Sequence, residues 1–321
     1  MTLLPDIGRP ATRLSHSSLS SALMELSTER RDVAHADLDR RSTAGIVHAV
    51  VRGHEEVVAA VDLAAHAIAA LADVTAAAMD AGGRVIYVGA GSAGRIAALD
   101  ASEWGPTFSE DAVVAVVAGT EHPPGSFEEA AAEDDAHAGA AAVRALHLTH
   151  DDVVIGITAS GRTPFVLGAL QAAREAGALT AAVTSAVGAA PRTQYLIAVP
   201  VGAEVIAGST RLKAGTAQKL VLNGFSTAVM VRRGRTVGNL MASLRVGNDK
   251  LRERAVRICM DATKASEAEA RRALEAAQDD ARVAILMLAH DLDAAAARER
   301  LQRHGGAIAR AIGLDQSLTT R

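Results

Sequence analysis

The chain has 321 residues, a formal net charge of −4 and a hydrophobic fraction of 49%, which is ordinary composition for one large or two modest globular domains. Aromatic residues make up only 2%, and so few rings on a mildly acidic chain argue against a nucleic-acid-binding protein. The single cysteine, Cys259, excludes an internal disulfide framework and a multi-cysteine zinc site. Because we find neither a run of about 18 apolar residues nor a secretory leader, we expect a cytoplasmic protein.

The first elements in chain order are a polar arm and a helical region. Residues 1–41 begin with a serine-rich stretch, and we expect an N-terminal arm there. In residues 42–80, apolar side chains recur at three- and four-residue spacing, which predicts two helices separated near Gly53 and His54.

From residue 84 onward, short apolar runs alternate with helical segments, a pattern that predicts parallel strands covered on both faces. The predicted strands are 84–89, 112–119, 152–158, 179–184 and 196–201, and the intervening helices begin near residue 92 and span 126–146 and 164–176.

After residue 201 the pattern is almost wholly helical. The predicted helices are 211–233, 239–263, 266–277, 280–289 and 293–303. We therefore predict an α/β protein with two parts. Residues 42–238 would form a three-layer domain with a mainly parallel five-stranded sheet and preceding helices, and residues 239–321 a small C-terminal helical region.

Three segments rich in glycine, serine and threonine each lead into a predicted helix, at 89–95, 158–164 and 208–216. A helix start offers unpaired amides and a partial positive charge, which suit an anion. One such segment alone is as easily an ordinary helix cap, but three in one domain favour a site for a sugar phosphate or another small phosphate ester. The candidate ligand-binding residues are Gly91, Ser92, Ser160, Gly161, Arg162, Thr163, Ser209, Thr210 and Lys213.

The first segment also matches the Gly-x-Gly-x-x-Gly pattern of dinucleotide-binding proteins. That interpretation requires an acid at the end of the next strand, about 20 residues further on. The nearest acid at a strand end is Glu121, about 30 residues away, so the dinucleotide interpretation is the weaker one.

Two carboxylates are candidates for acid–base work. Glu103 precedes Trp104, the only tryptophan, and a Gly-Pro pair expected to end the helix; Glu133 lies in an alanine-rich helix among other acids. Either could be an ordinary solvated helix acid, and the pair gains meaning only if a substrate needs one proton removed and another supplied. The eleven histidines form no metal-binding pattern with each other or with the cysteine, so no metal is predicted.

Several motifs resemble the N-acetylmuramic acid 6-phosphate etherase family. The strongest are GAGSAGRIAALDASEWGPTF at 89–108, ASGRTPF at 159–165 and GSTRLKAGTAQK at 208–219. Shorter likenesses occur at 28–31, 239–241 and 284–287, and the resemblance covers about residues 26–312. It implies the sugar isomerase (SIS) fold.

The resemblance also implies an activity. Family members are cofactor-free lyases that cleave the D-lactyl ether of N-acetylmuramate 6-phosphate by elimination and hydration, in the recycling of cell-wall sugars. The products are N-acetylglucosamine 6-phosphate and D-lactate. In the family, the glutamate of the Asp-Ala-Ser-Glu motif protonates the leaving oxygen, which assigns that role to Glu103. The position of Glu133 matches the other catalytic glutamate, the base.

The assigned acid has a physical requirement. A carboxyl group that donates a proton near neutral pH needs a raised pKa, and burial of Glu103 beside Trp104 would help to supply it. Family members are homodimers, so the resemblance further implies a homodimer whose site includes residues of both subunits.

The sequence departs from the family pattern at several positions. Ser92-Ala93-Gly94 stands where Thr-Ser-Gly is usual, so one hydroxyl is missing. Trp104 replaces a smaller residue, Gly105 the first of two prolines, Ser243 an aspartate and Asp32 an asparagine.

Two other functions stay open at this point. A non-catalytic sensor of sugar phosphates, similar to the glucokinase regulatory protein, would keep the phosphate segments without needing both glutamates. A phosphosugar isomerase would share the fold, but the motif at 208–219 and the Asp-Ala-Ser-Glu segment argue against it.

Overall fold

The computed structural model describes residues 27–123, 125–186, 188 and 190–313. Most of the predicted N-terminal arm lies outside this range. Its described part contains two short 3-10 turns, Val33–His35 and Leu38–Arg40. Asp32, one of the departures from the family pattern, accepts a hydrogen bond from the Ala34 amide and thereby caps the first turn.

Three helices precede the sheet: α1 (Thr43–Gly53), α2 (Glu55–Leu63) and α3 (Ala65–Asp80). The break near His54 is confirmed, but the prediction of only two helices is wrong, because the chain breaks again at Ala64. The helical axis before Ala64 is bent by 54° from the axis of α3. Both flanking helices nevertheless contribute to one core, through Val57 and Leu71 among others, so the bend lets both helices pack against it.

The predicted sheet is confirmed. Its strands are β1 (Val85–Gly89), β2 (Val113–Val117), β3 (Val153–Ile157), β4 (Leu179–Thr184) and β5 (Tyr195–Ala198). All neighbours are parallel, in the order β2-β1-β3-β4-β5. The carboxyl ends of the strands therefore lie along one edge, which is where open α/β sheets bind their ligands.

Helices cover both faces of the sheet, as predicted. They are α4 (Gly91–Phe108), α5 (Phe127–Ala132), α6 (Ala136–Arg144), α7 (Pro164–Glu175) and α8 (Lys213–Arg232). Tyr87 and Ile155 point into a core shared with α3, α4 and α8. Ile86 and Val154 point to the opposite face and a core shared with α6 and α7. The alternation of side chains along each strand thus produces the three layers.

Two helix boundaries differ from the prediction. The segment 126–146 is not one helix, because the Asp135 side chain accepts a hydrogen bond from the Ala138 amide and starts a second helix. The first loop-helix does not end at Gly105–Pro106. It continues through Pro106 to Phe108 and stops where Ser109 adopts a left-handed conformation with φ 51°.

The C-terminal part contains α9 (Asp249–Thr263), α10 (Glu267–Ala276), α11 (Ala281–His290), α12 (Ala294–Arg303) and α13 (Ile308–Ala311). These helices bury a hydrophobic cluster of their own. The predicted helix 239–263 begins only at Asp249, because Asn248 caps it by accepting the Leu251 amide. Across the described residues, no single helix is long and apolar enough to cross a membrane. Only the bent combination of helices over residues 43–80 has the length and the composition of a membrane span.

Candidate active site

The first glycine-rich segment joins β1 to α4 by a close backbone approach. A Cβ atom on Gly94 would lie 2.6 Å from Val117 Cγ1, and one on Gly89 would lie 2.8 Å from Gly94 Cα. Glycine is therefore required for the helix to start directly against the strands. Ala90 precedes the helix and supplies no side-chain cap, so Gly91 and Ser92 stand at a helix start suited to an anion.

The second segment is a cluster of hydroxyl groups at the end of β3. Thr158 Oγ1 lies 2.8 Å from Thr163 Oγ1 and 3.5 Å from Ser160 Oγ. Ser160 Oγ also accepts a hydrogen bond from the Arg162 amide. Gly161 turns the chain with φ +70°, and Pro164 opens α7. The structure thus brings Ser160, Gly161, Arg162 and Thr163 into one loop.

Glu133 is fixed on this second segment. The Thr163 hydroxyl donates to Glu133 Oε1 at 3.0 Å, and the Phe165 amide donates to the backbone oxygen of Glu133 at 3.0 Å. Glu133 follows the last residue of α5 and is half-buried. The structure therefore places one predicted catalytic carboxylate beside the residues predicted to bind a sugar phosphate.

The third segment differs from the first, because the chain itself occupies the start of its helix. Glu204 is fully buried, and its carboxylate accepts hydrogen bonds from the Lys213 and Ala214 amides at 2.9 and 3.0 Å. The prediction that this helix start offers those amides to a ligand is therefore wrong. The sequence shows Glu204 only as one acid after β5, and nothing in its spacing indicates the bond.

The other residues of the third segment have mixed surroundings. The Lys213 side chain is buried, and its Nζ lies 3.5 Å from Glu56 Oε2. Ser209 and Thr210 are half-buried in the loop, while the Gly208 amide donates to the backbone oxygen of Thr28. The third segment thus packs on the Thr-Glu motif near the start of the described chain.

Glu103 lies on α4 in a setting that contradicts the expectation of burial. Its side chain is 54% exposed and its Oε2 accepts a hydrogen bond from Lys219 Nζ at 3.0 Å. Trp104 is buried, with 1% of its surface exposed, but its indole donates to Asp100 rather than covering Glu103. In the single chain, therefore, Trp104 does not bury Glu103.

Asp100 is the buried carboxylate of this region, and sequence reasoning missed it. It accepts hydrogen bonds from the Tyr87 hydroxyl at 2.9 Å, from Trp104 Nε1 at 3.0 Å and from Ser226 Oγ at 3.3 Å. Burial raises the pKa of Asp100, although these donors oppose the shift. Burial, together with the neighbouring Asp100 carboxylate, also raises the pKa of Tyr87. The available signal was the four-residue spacing of Asp100 and Trp104, which places both on one helix face.

The two predicted catalytic glutamates have different surroundings within one chain. Glu103 lies 12 residues after Gly91, which is about 18 Å along the helix axis from the first segment. Its helix covers the face of the sheet shared with α3 and α8, whereas Glu133 adjoins α7 on the other face. Among the described residues there is no group of three or more side chains suited to a metal ion.

One departure from the family pattern now has a structural account. Ser243 is buried, and its hydroxyl donates to the backbone oxygen of Arg235 at 2.7 Å. Its own backbone oxygen accepts a hydrogen bond from Ser109 at 2.8 Å. Ser243 therefore ties the end of α4 to the segment that leads into the C-terminal helices.

Comparison with known proteins gives the same fold class. The model of the glucokinase regulatory protein N-terminal SIS domain matches residues 65–174. A solved phosphoheptose isomerase from Francisella tularensis aligns with a TM-score of 0.46 and 18% identity, over 59% of this chain and 98% of that one. The parallel sheet, its covering helices and the family-model match over residues 65–174 define a protein with an SIS domain of the sugar isomerase fold.

Closer relatives identify the family. The N-acetylmuramic acid 6-phosphate etherase of Rubrobacter xylanophilus is 46% identical over 299 residues, which cover 92% of this chain and 98% of that protein. N-acetylmuramic acid 6-phosphate etherase 2 of Vibrio parahaemolyticus is 43% identical over 294 residues, covering 90% and 98% respectively. The chain belongs to the N-acetylmuramic acid 6-phosphate etherase family.

Proposed function

We propose that this protein is a carbon–oxygen lyase that cleaves the D-lactyl ether of N-acetylmuramate 6-phosphate and adds water. The products are N-acetylglucosamine 6-phosphate and D-lactate. Beyond family membership, the observation that carries the proposal is the bond between Glu133 and Thr163. It holds a carboxylate at the edge of the sheet, beside a loop of hydroxyl groups suited to a phosphate ester.

The first two segments would bind the sugar phosphate. Gly91 and Ser92 lie at the uncapped start of α4, and Ser160 supplies a hydroxyl group in the loop after β3, while the single proton of the Thr163 hydroxyl is donated to Glu133. An anion gains from a helix start through its unpaired amides and its partial positive charge. We do not assign this task to the amides of the third segment, because Glu204 already occupies them.

The elimination would use both glutamates. In the open-chain sugar the aldehyde makes the proton on carbon 2 acidic, and Glu133 removes it. The bond between carbon 3 and the ether oxygen breaks as Glu103 donates a proton to that oxygen, so lactate leaves as an alcohol. A well-positioned general acid or base typically contributes about 10²- to 10⁴-fold in rate.

Hydration of the unsaturated aldehyde would restore both groups. Water adds its oxygen to carbon 3 and gives a proton to the Glu103 carboxylate, while Glu133 returns its proton to carbon 2. Atoms and charge balance over the cycle, and no redox partner is needed. The glutamates end in the protonation states in which they began.

A homodimer with composite sites is the second part of this proposal. Glu103 is exposed within the chain and lies about 18 Å along α4 from the first segment. A second copy packed against this face would bring Glu103 to the phosphate segments of its neighbour and exclude water from it. Exclusion of water would favour the protonated carboxyl group that the elimination needs.

The direct test is release of D-lactate from N-acetylmuramate 6-phosphate, measured with a D-lactate dehydrogenase. We expect stoichiometric lactate and N-acetylglucosamine 6-phosphate from the wild-type protein, and none from the unphosphorylated sugar. The matched control is Arg232→Met, which removes an exposed cation paired with Asp73, away from both glutamates; it should keep wild-type turnover. Absence of lactate from wild type would refute the proposed activity.

A sugar-phosphate-binding regulatory protein is the second candidate function. It is favoured by the match of residues 65–174 to the regulatory-protein SIS domain. Calorimetry with N-acetylglucosamine 6-phosphate distinguishes it from the enzyme. Binding of that sugar phosphate without any lactate release from the substrate would support the regulatory function.

A further inference from the structure

The substrate of the proposed reaction carries two anionic groups. One is the phosphate, for which the first two segments are suited. The other is the carboxylate of the lactyl group, which is attached to the carbon next to the ether oxygen. A general acid that protonates this oxygen must therefore lie close to the lactyl carboxylate. A cation beside the acid would let the site discriminate a lactyl ether from the plain sugar, because hydrogen bonds between charged groups are strong.

Lys219 meets this requirement. Its Nζ lies 3.0 Å from Glu103 Oε2, and its side chain is 28% exposed. It is one of only four lysines in the chain. A ligand atom that hydrogen-bonds to Glu103 therefore lies within a few ångströms of this ammonium group.

The ammonium group is held from its inner side by a buried carboxylate. Asp100 Oδ1 lies 3.8 Å from Lys219 Nζ, and Tyr87, Trp104 and Ser226 hold Asp100 in place through hydrogen bonds. Asp100 can thus orient Lys219 even when its outer partner changes. Glu103 is that outer partner, and its exposed carboxylate can give way to another.

A small cleft adjoins Glu103. Its volume is about 140 Å³, and its walls include Trp104, Phe108, Asn223 and Thr227. Asn223 lies four residues after Lys219 on α8 and so shares its helix face. The Phe108 ring offers contact to a methyl group, and the Asn223 amide and Thr227 hydroxyl offer polar contacts.

We propose that Lys219 binds the lactyl carboxylate of the substrate, with the lactyl methyl group in the adjoining cleft. This inference rests on the proposed etherase function. On binding, the substrate carboxylate replaces Glu103 as the outer partner of Lys219. A carboxylate placed beside Glu103 disfavours a second negative charge there, and so favours the protonated form of Glu103. When lactate leaves, the Glu103 carboxylate returns to Lys219.

The test combines Lys219→Met with a substrate whose lactyl carboxylate is replaced by a carboxamide. For the wild type, we expect the carboxamide to lower kcat/KM by about 10- to 100-fold, the range expected for a hydrogen bond to a charged group. Lys219→Met should lose a similar factor on the native substrate and little more on the carboxamide. Lys219→Arg should recover part of the loss, and Arg232→Met should behave as wild type.

Two results would overturn the assignment. If the losses from the variant and from the carboxamide multiply, Lys219 acts without touching the lactyl carboxylate. If Lys219→Met weakens binding of N-acetylglucosamine 6-phosphate as much as it lowers kcat/KM, Lys219 serves the fold or the phosphate instead.

A binding measurement separates this inference from the activity itself. In a Glu133→Gln background, where turnover should stop, calorimetry compares N-acetylmuramate 6-phosphate with N-acetylglucosamine 6-phosphate. We expect a preference for the lactyl compound that Lys219→Met abolishes. If wild type releases no lactate but the preference is present and depends on Lys219, the subsite is correct and the proposed activity is not. Equal affinities in the presence of Lys219 would refute the subsite.

Discussion

Glu133 and Glu103 differ in how firmly neighbouring residues hold each side chain. Glu133 is bound by the Thr163 hydroxyl and, through its backbone oxygen, by the Phe165 amide. Glu103 is exposed and has the partly exposed Lys219 as its hydrogen-bond partner. The first carboxylate is held by neighbours that are themselves packed between helices and sheet, whereas the second stands on an open helix face.

This difference fits the division of tasks that we propose for the two glutamates. A base that removes a carbon-bound proton must be held at a fixed distance and angle, and rigid supporting bonds provide that geometry. An acid must instead be protonated at the right moment, so its surroundings can depend on the substrate or on a second copy. Asp100, three residues before Glu103, shows that α4 can bury a carboxylate, yet the chain leaves Glu103 outside.

The strongest test of the contrast mixes two inactive variants. Glu103→Gln and Glu133→Gln should each lose about 10²- to 10⁴-fold in lactate release. If Glu103 works in the site of a neighbouring copy, co-expression of the two variants with different tags yields mixed dimers in which one of two sites is intact. Free exchange would restore about a quarter of wild-type activity, because about half of the dimers are mixed.

The alternative, in which each site uses both glutamates of its own chain, predicts a different result. If both glutamates serve the site of their own chain, each site in a mixed dimer lacks one of them and no activity returns. A co-expressed pair of two Glu133→Gln chains provides the control, and it should be inactive in either case. Light scattering checks the dimer itself, and an active monomer would refute the composite site.

Removal of the hydroxyl that holds Glu133 should have the next largest effect. Thr163→Val keeps the side-chain shape but deletes the donor, and a hydrogen bond to a charged group is worth about 1.5–3 kcal/mol, or roughly 10- to 100-fold in rate. We expect the loss in kcat, measured by steady-state lactate release. Thr163→Ser keeps the donor and should retain most activity. Equal losses in the two variants would mean that the methyl group, not the hydroxyl, matters.

Close packing under Glu133 provides a third prediction. A Cβ atom on Gly139 in α6 would lie 2.0 Å from the backbone oxygen of Phe165, so Gly139→Ala must push α6 away from the start of α7. We expect the free energy of unfolding to fall by about 1–3 kcal/mol. Urea denaturation measures this loss, and the lactate assay should show a lower kcat because the Glu133 support shifts.

Gly224 in α8 is the matched control. A Cβ atom there has no neighbour within 4 Å, so Gly224→Ala should raise the stability by up to about 1 kcal/mol through helix propensity. An unchanged stability in Gly139→Ala would contradict the close helix contact described here.

The smallest expected effect concerns pH. Burial raises the pKa of Asp100 above its ordinary value of 3.8. The folded protein therefore holds this proton longer than the unfolded chain, so the contribution of Asp100 to stability falls as pH rises from 3.8 through the raised pKa. We expect the stability difference between wild type and Asp100→Asn to shrink over that interval, measured by urea denaturation at several pH values.

The pKa of Asp152 is shifted in the opposite direction. Burial alone would raise its pKa, but hydrogen bonds from Arg84 and from the Thr149 and Arg84 amides lower it overall. Its contribution is therefore present above 3.8 and is lost as pH falls through the lowered pKa. The difference between wild type and Asp152→Asn should grow with rising pH in that range. If the stability difference from wild type changed with pH in the same direction for both variants, the opposite pKa shifts of Asp100 and Asp152 would be contradicted.

Much of the fold follows from local sequence pattern, and much of the site does not. The five strands are predictable because each is a short apolar run beside a turn or a helical segment. The helix predicted over 239–263 failed because the pattern does not reveal that Asn248 caps a shorter one. The break at Ala64 likewise leaves no local signal, since it is set by the core that both flanking helices share.

Contacts between distant segments account for what the sequence could not predict about the site. Glu204 reaches the amides of Lys213 and Ala214 because the loop between β5 and α8 folds back onto the start of α8. The contact between Glu133 and Thr163 spans 30 positions. Motif likeness could identify Glu103 and Glu133 as candidates. That Glu133 is held by hydrogen bonds and half-buried while Glu103 is exposed depends on packing, which no residue pattern shows.

The single tryptophan allows this region to be observed by intrinsic fluorescence. Trp104 is the only indole in the chain; it donates its N–H to Asp100 and forms a wall of the cleft beside Glu103. All tryptophan fluorescence of this protein therefore comes from one place, the junction of α4 and α8. Ligand entry into the cleft, a change in the Asp100 carboxylate or the docking of a second copy nearby can each be followed by emission from a single fluorophore, without any added label.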